Sequence, residues 1–212
     1  MATGVHVVWL KRDLRTRDHA PLARAMQQAA ADGLRVVVLH VFEPGLLNHP
    51  TTSSRHVQFQ WQCLEDMAGT FDQEAWHVSF DRLHAPMLDV LDRLHAQTPI
   101  QSLHSHEETG VAWTFDRDKA VAAWCTRHQV SWIEEPQLGV QRGRTHRRGW
   151  VRTWHVNMAR PLAHPDLKAL QHIQPRPTPA WNWPEAWRCA SPPVVTHADD
   201  LAGAGPFQPG GE

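Results

Sequence analysis

The chain has 212 residues, a formal net charge of −1, 11 Trp and no Tyr. This length fits one sizeable domain with an appendage, and the near-neutral charge excludes a global field that draws the whole molecule to nucleic acid or membrane. Cys63, Cys125 and Cys189 are too few and too scattered for a disulfide framework or a zinc knuckle. No apolar run has the length of a membrane span and the opening residues do not resemble a signal peptide, so we expect a soluble, cytoplasmic protein.

Short β-branched runs alternate with longer amphipathic segments through the first 135 residues. Strands are predicted at Val5–Leu10, Leu34–Phe42, Trp76–Phe80, Gln101–Ser105 and Val130–Ile133, with helices at Pro21–Ala31, Arg55–Asp72, Pro86–Ala96 and Trp113–His128. This order predicts an α/β core at 1–135, namely a three-layer, doubly wound, Rossmann-like sheet of five parallel strands in the order 3-2-1-4-5. Ligands of such sheets bind beyond the carboxyl ends of the strands, which nominates the loops at 11–19, 43–55 and 106–113.

Beyond Glu135 the alternation stops. Residues 136–174 form an Arg- and Trp-rich segment that we assign to the same domain, and residues 175–212 form a Pro-rich C-terminal arm typical of an interdomain linker. The first of these segments contains Arg142, Arg144, Arg147, Arg148 and Arg152 with no acidic residue among them. Because like charges repel, the cluster is expected to have a partner. A carboxylate, within the chain or across a domain junction, is favoured over the phosphates of DNA.

The first strand ends in a run of cations and carboxylates, WLKRDLRTRD at residues 9–18. Arginine is suited to two-point pairing with carboxylates. Arg12, Asp13, Arg15 and Asp18 are therefore interpreted chiefly as a structural network that ties the loop to the sheet. The loop has no glycine-rich turn, which excludes a phosphate-binding P-loop or a dinucleotide fingerprint.

The 16 histidines raise a metal hypothesis. His104 and His106 lie two apart on a predicted strand and would face the same way, but no Cys or third His stands at ligand spacing. We therefore predict no metal site. No nucleophile-elbow motif or Ser-His-Asp arrangement is found, so no catalytic residue is assigned.

Three segments, in this order, resemble those of a known protein family. They are WLKRDLRTRDHAPL at 9–22, HEETGVAWTFDRD at 106–118, and EPQLGV at 135–140 with the later Gly149-Trp150 and MARP at 158–161. Together they resemble the N-terminal α/β domain of DNA photolyases and cryptochromes, over about residues 5–165. The resemblance implies the antenna-binding and scaffold domain of a light-driven flavoprotein, whose separate helical domain holds FAD and acts on the DNA lesion. We expect that helical domain to be missing from this chain. The chain alone is therefore expected to hold no FAD and to be inactive as a photo-lyase. Its expected partner is the FAD-binding domain, and DNA would be contacted only by the full-length protein. Repair versus signalling, and the oligomeric state, stay open.

In family members with a deazaflavin or flavin antenna, the antenna positions correspond here to His40, Arg55 and Glu107 or Glu108. Helix capping and a surface ion pair are an equally open interpretation of these residues. A folate antenna is less favoured, because Trp113-Thr114 stand where folate-binding members have an Asn-Glu pair. Two rival functions remain. One is a free-standing nucleotide- or flavin-binding domain in electron transfer or stress response, and the other is a chromophore-free interaction module.

Overall fold

The computed structural model describes residues 4–73, 78–137, 139–166, 170 and 180–195. In these residues the strands are β1 Val5–Leu10, β2 Arg35–Phe42, β3 Ser79–His84, β4 Ile100–His106 and β5 Ser131–Glu135. The helices are α1 Ala20–Asp32, α2 Pro44–Leu47, α3 Ser54–Gln73, α4 Met87–Gln97, α5 Ala112–Arg127 and α6 Trp150–Met158, followed by a short 3-10 helix at Glu185–Trp187. All neighbouring strands pair in parallel in the order β3-β2-β1-β4-β5. The predicted fold class and strand order are confirmed.

Strand β1 lies at the centre of the sheet, and all six of its residues are buried. Because successive side chains of a strand point to opposite faces, Val8 and Leu10 pack in one core layer with residues of α1 and α3. Val7 and Trp9 pack in the other layer with residues of α4 and α5. Helices on both faces explain why the strand reads as a continuous apolar run.

The prediction of the third strand at Trp76–Phe80 is wrong in its bounds, since the structure has β3 at Ser79–His84. The strand lies at the edge of the sheet and contains polar residues that the apolar pattern does not reveal. Ser79 donates to the Asp81 carboxylate at 3.0 Å, and the Arg82 guanidinium lies 4.4 Å from the centre of the Trp61 ring. Residues 74–77, where the prediction began, lie outside the described part of the chain.

The described part of the Pro-rich arm covers the edge of β3. Leu83 forms an antiparallel bridge with Arg188, and the Cys189 backbone N donates to the Arg82 carbonyl at 3.1 Å. Trp181 and Trp183 are buried against the same side of the domain. Covering an edge strand in this way satisfies part of its open hydrogen-bonding row. The rest of the predicted arm at 175–212 lies outside the described residues.

A polar cluster lies inside the fold between β1, β4 and α1. The Ser102 Oγ is 2.7 Å from the His6 Nδ1 and 2.6 Å from the His104 Nε2, and the His6 Nε2 is 3.2 Å from the Asp32 carboxylate. Burial lowers the pKa of His104 to about 3 and also lowers the pKa of His6, although Asp32 opposes the shift at His6. Both rings are therefore neutral at pH 7. This chain of contacts from Ser102 through His6 to Asp32 was not predicted. Ser102 is buried and does not line the pocket described below. It belongs to the polar interior of the fold.

Helix α6 differs from α1, α3, α4 and α5 because it packs outside the two core layers, and none of its residues is buried. Among the helices that the structure describes, none combines the length and the apolar character that crossing a bilayer requires.

Candidate functional site

A pocket of about 710 Å³ opens beyond the carboxyl ends of β1 and β2, between α3 and the loop that follows β4. The sheet changes direction of winding at β1, which has β2 on one side and β4 on the other. Ligands of doubly wound sheets bind at this switch point. The walls combine apolar side chains such as Phe42, Leu47 and Phe59 with a few polar groups, the composition typical of small-molecule sites.

His40 brings a hydrogen-bond acceptor to the pocket wall. It lies in β2 opposite Leu10 of β1, and its Nδ1 is 3.1 Å from the Leu10 carbonyl oxygen. Burial lowers the pKa of His40 to about 4, so the ring is neutral at pH 7. In a neutral ring whose Nδ1–H donates to a carbonyl, Nε2 is an acceptor. That Nε2 is buried and has no hydrogen-bond partner among the residues that the structure describes.

Glu108 is the other predicted antenna residue that lines the pocket. Its side chain is only 5% exposed and lies 3.2 Å from the Arg12 Nε and 3.5 Å from the Arg117 guanidinium. The structure does not place Glu107 or Arg55 in the pocket lining. Glu107 extends the ladder between β4 and β5 by donating its backbone N to the Glu135 carbonyl at 2.9 Å, and Arg55 is exposed in the first turn of α3.

Asp13 is the buried centre of the loop after β1. Its Oδ1 accepts from the backbone N of Lys11 at 3.1 Å and of Arg12 at 3.2 Å, and its Oδ2 lies 2.6 Å from both the His19 Nε2 and the His106 Nδ1. Burial opposes ionisation of this carboxyl, but the adjacent His19 imidazole and the hydrogen bonds from both imidazoles outweigh it. They hold the pKa of Asp13 well below its usual range. The cluster joins the β1 loop, the start of α1 and the end of β4.

The ligand atoms of Asp13, His19 and His106 all lie within 4.8 Å of one another, which is close enough for a metal ion. The His19 Nδ1, however, accepts a hydrogen bond from the Leu22 backbone N at 3.0 Å. Since Nδ1 acts as an acceptor, the proton of the ring lies on Nε2, facing Asp13, where a metal would need a lone pair. The arrangement fits a hydrogen-bonded core, and the absence of a metal site stays a prediction. His104, which the sequence grouped with His106, contacts Ser102 instead.

Arg15 and Asp18 shape the same loop from outside. Arg15 donates to the backbone carbonyls of Arg17 at 3.1 Å and Asp18 at 2.9 Å. Asp18 adopts a left-handed backbone with φ of 47°, and its carboxylate accepts from the Ala163 backbone N at 2.9 Å. These contacts tie the loop to itself and to the chain beyond α6. Arg12, in contrast, reaches Glu108 in the pocket wall.

Arg117 and Glu43 form an ion pair in the pocket wall that the sequence did not predict. The Arg117 side chain, 8% exposed, donates to Glu43 at 2.8 Å and to Asp118 at 2.9 Å, and Asp118 also accepts from the Lys11 Nζ at 3.0 Å. Burial raises the pKa of Glu43 although Arg117 opposes the shift. Burial disfavours the charged form of Arg117, but the Glu43 and Asp118 carboxylates outweigh it and raise its pKa. Glu43 follows β2 and Arg117 stands in the FDRD motif, yet no sequence signal shows that residues 74 positions apart meet.

The sequence matches the DNA photolyase family model over residues 6–140.

The chain belongs to the DNA photolyase family.

Solved structures agree with the fold of this photolyase-family domain. It is similar to a cryptochrome from Synechocystis sp. PCC6803, with a TM-score of 0.56 and 18% identity over 64% of this chain and 28% of that one. It is also similar to an archaeal photolyase from Sulfolobus tokodaii, with a TM-score of 0.61 and 16% identity over 76% of this chain and 37% of that one. The domain thus spans well under half the length of these two structures. No curated protein matches the sequence significantly.

The arginine cluster of this photolyase-family domain divides into two groups. Arg142 is anchored to the sheet, since it donates to the Glu134 carboxylate and to the Glu108 carbonyl, both at 2.8 Å. Arg144 donates within its own turn, to the Gln141 side chain and to backbone carbonyls. For Arg147, Arg148 and Arg152, the described residues supply no carboxylate partner.

Proposed function

We propose that this photolyase-family domain binds a planar antenna chromophore of the deazaflavin or flavin type in the pocket at the ends of β1 and β2. The observation that carries the proposal is the buried Nε2 acceptor of His40, which lacks a partner in the described residues and lines the pocket. Buried polar atoms are rarely left without a hydrogen bond. Flavins and deazaflavins have a ring imide N–H that donates to such an acceptor, and their apolar ring faces suit Phe42 and Phe59.

The size and charge of the pocket support the same ligand class. Its volume of about 710 Å³ lies within the range of roughly 300–1,000 Å³ of small-molecule sites. Arg12 lines the pocket with a side chain that is 56% exposed, and its cation favours the carbonyl oxygens that flank an imide N–H. The Arg117–Glu43 pair holds α5 against the loop after β2 and so keeps the wall in place.

Contacts at the start of α5 support a flavin-type ligand over a folate. Trp113 packs closely against α2, since a Cβ at Gly45 would lie 2.6 Å from its indole. The Thr114 side chain is buried and donates to the Val111 carbonyl at 2.8 Å. Neither position offers the amide and carboxylate that an Asn-Glu pair supplies. The similar Sulfolobus tokodaii photolyase is described with two FAD molecules and a novel light-harvesting cofactor, which also favours a flavin.

We further propose that the domain is the light-collecting and scaffold half of a larger flavoprotein, a photolyase or a cryptochrome. The two similar structures are much longer than this domain, since the matched region covers only 28% and 37% of their chains. In this proposal a separate FAD-binding domain is the partner, the lesion is contacted through that domain, and this chain alone has no photo-lyase activity. The free cysteines Cys63, Cys125 and Cys189 support a cytoplasmic location. The family match does not favour the free-standing electron-transfer domain or the chromophore-free interaction module.

The test is a titration of the purified chain with riboflavin and with a deazaflavin, followed by the fluorescence of the ligand. We expect saturable binding, weakened about 10- to 100-fold by His40→Leu, because the ligand N–H then loses its buried acceptor at a cost of about 1–3 kcal/mol. His155→Leu, on the exposed α6, is the matched control and is expected to bind as the wild type does. Equal affinities of the His40→Leu variant and the wild type would overturn the assignment.

A further inference from the structure

The loop at residues 107–111, called here the rim loop, joins β4 to α5 and forms part of the wall of the proposed chromophore pocket. Backbone hydrogen bonds fix its two ends. The Glu107 backbone N donates to a carbonyl of β5 at 2.9 Å, and the Phe115 backbone N of α5 donates to the last carbonyl of the loop at 3.2 Å. Between these ends, residues 108–110 make no backbone-to-backbone hydrogen bond with any residue that the structure describes. Side chains must therefore hold the middle of the loop, where Glu108 lines the pocket.

Two kinds of contact hold Glu108 in the middle of the rim loop. Its carboxylate lies 3.2 Å from the Arg12 Nε and 3.5 Å from the Arg117 guanidinium, and it also accepts from the Thr109 backbone N at 3.0 Å. These contacts fix the side chain. The backbone is fixed separately, because the Glu108 carbonyl oxygen accepts from the Arg142 Nε at 2.8 Å. In the described part of the chain, Arg142 therefore supplies the hydrogen bond that anchors the backbone of the loop at this point.

Arg142 is itself attached to the sheet edge and to α5. Its Nη1 donates to the Glu134 carboxylate of β5 at 2.8 Å, and its Nη2 donates to the Asp118 carboxylate of α5 at 3.5 Å. Both carboxylates are held in turn by the buried Lys11 Nζ, which lies 3.0 Å from Asp118 and 3.6 Å from Glu134. Because the donors of a guanidinium lie in one rigid plane, three acceptors fix its orientation. Arg142 does not line the pocket, so it holds the loop from outside.

We propose that Arg142 is a positioning residue for the chromophore pocket, because its guanidinium clamps the rim loop to β5 and α5 and keeps Glu108 in the ligand-binding arrangement. The inference rests on the proposed function of the pocket and assigns a role to a residue that does not touch the ligand. Without the clamp, the loop also populates arrangements in which the wall is displaced. The apparent affinity then falls with the fraction of chains that keep the binding arrangement, and the ligand dissociates faster because the wall opens more often.

The first test measures the equilibrium binding and the stopped-flow release of riboflavin with the full chain carrying Arg142→Gln. We expect the dissociation constant and the dissociation rate each to rise about 3- to 10-fold, the effect on a population of losing one hydrogen bond, with a urea midpoint close to that of the wild type. Arg142→Lys keeps the charge, but one ammonium group cannot span the three acceptors, so this variant should behave like Arg142→Gln. Arg147→Gln is the matched control and should bind as the wild type does, because Arg147 is exposed and has no carboxylate partner among the described residues.

The second test needs no ligand and measures amide hydrogen exchange in the rim loop by NMR. The backbone N–H groups of Glu107 and Thr109 are hydrogen-bonded, so their exchange reports local opening of the loop. Both should exchange about 3- to 10-fold faster in Arg142→Gln, for the same reason, and at the wild-type rate in Arg147→Gln.

The two tests separate this inference from the proposed function. Unchanged exchange or unchanged affinity in Arg142→Gln would overturn the inference, and so would full recovery of both in Arg142→Lys. A lower urea midpoint with unchanged riboflavin binding would reduce Arg142 to a structural residue and would overturn it as well. A wild type that binds neither riboflavin nor a deazaflavin would overturn the proposed function, and the pocket role of Arg142 with it, whatever the exchange rates.

Discussion

The loop after β1 and the arginine-rich segment at residues 141–160 are both rich in charged residues but place them in opposite surroundings. In the loop, Asp13 and Lys11 are buried, and each lies within 3.0 Å of an oppositely charged or imidazole group. In the arginine-rich segment, Arg147 and Arg148 are exposed and receive no carboxylate from the described residues. Two charge-rich segments that are far apart in sequence thus have different surroundings.

The difference follows from the cost of removing charge from water. A buried ion that loses its partner is left uncompensated in a medium of low dielectric constant, which is strongly destabilising. An exposed charge is solvated whether or not a partner is present, and surface pairs contribute little. We therefore expect substitutions in the β1 loop to change the stability of the fold, and substitutions in the arginine-rich segment to leave it nearly unchanged.

The largest effect is expected from Asp13→Ala. This substitution leaves His19 and His106 without the carboxylate that lies 2.6 Å from each. The free energy of unfolding should fall by about 3–5 kcal/mol, measured by urea denaturation. Asp116→Ala is the control, because Asp116 pairs with Lys119 at the surface and should cost less than about 1 kcal/mol. Similar losses for the two variants would remove the distinction between the buried and exposed charges.

A smaller but still large effect is expected from Arg117→Ala. It leaves Glu43, whose side chain is 5% exposed, without its counter-charge, and we expect a loss of roughly 3 kcal/mol. The chromophore affinity should fall as well, because the Arg117 guanidinium also lies 4.6 Å from the centre of the Trp9 ring in the same wall. Denaturation and ligand titration of one variant measure both effects. Retained stability would show that the pair does not hold the wall.

The buried histidines predict a loss of stability in mild acid. The pKa values of His40 and His104 are lowered from 6.5 to about 4 and about 3, so below pH 6.5 the unfolded chain binds more protons than the folded one. Their stabilising contribution is complete above about pH 6.5 and decreases as the pH falls, by on the order of 2 kcal/mol per histidine between pH 7 and pH 5. Asp13 keeps its contribution over this range because its pKa is far lower. Urea denaturation at several pH values measures the slope.

His104→Gln provides the control for that slope. The variant is expected to be less stable at pH 7, because it disturbs the hydrogen bond with Ser102. Its free energy of unfolding should nevertheless change less steeply between pH 7 and pH 5. A wild-type stability that stays constant or rises as the pH is lowered would contradict the account.

The smallest effect on stability is expected in the arginine-rich segment at residues 141–160. Arg147→Gln/Arg148→Gln should change the free energy of unfolding by no more than about 0.5 kcal/mol, because both residues are exposed. A loss of several kcal/mol in urea denaturation would show that these arginines have structural partners.

The fold could be predicted from the sequence because its strands are buried on both faces. β1 and β2 are continuous apolar runs, and each is followed by a helix with an apolar stripe, which fixes a parallel sheet. The bounds of β3 were predicted wrongly because this edge strand contains Asp81 and Arg82, which interrupt the apolar pattern. Helix α6 was not predicted, because its exposed Val151 and Val156 do not form the apolar stripe of a core helix.

The candidate site could be predicted only in part. The rule for parallel sheets located the loops around it, and the family resemblance indicated His40 and Glu108, which line the pocket. The pairs that build its walls join distant residues, such as Asp13 with His106 and Glu43 with Arg117, 93 and 74 positions apart. Such contacts depend on strand register and helix placement, which cannot be deduced from the spacing of residues in the sequence.

The visible absorption spectrum of the purified chain, recorded before and after denaturation and after addition of riboflavin or a deazaflavin, tests the central claim most directly. We predict a near-ultraviolet or blue band that stays with the folded chain, whether from a co-purified or an added chromophore, and that is released on denaturation. A colourless chain that takes up neither ligand would contradict the assignment of the pocket as an antenna site.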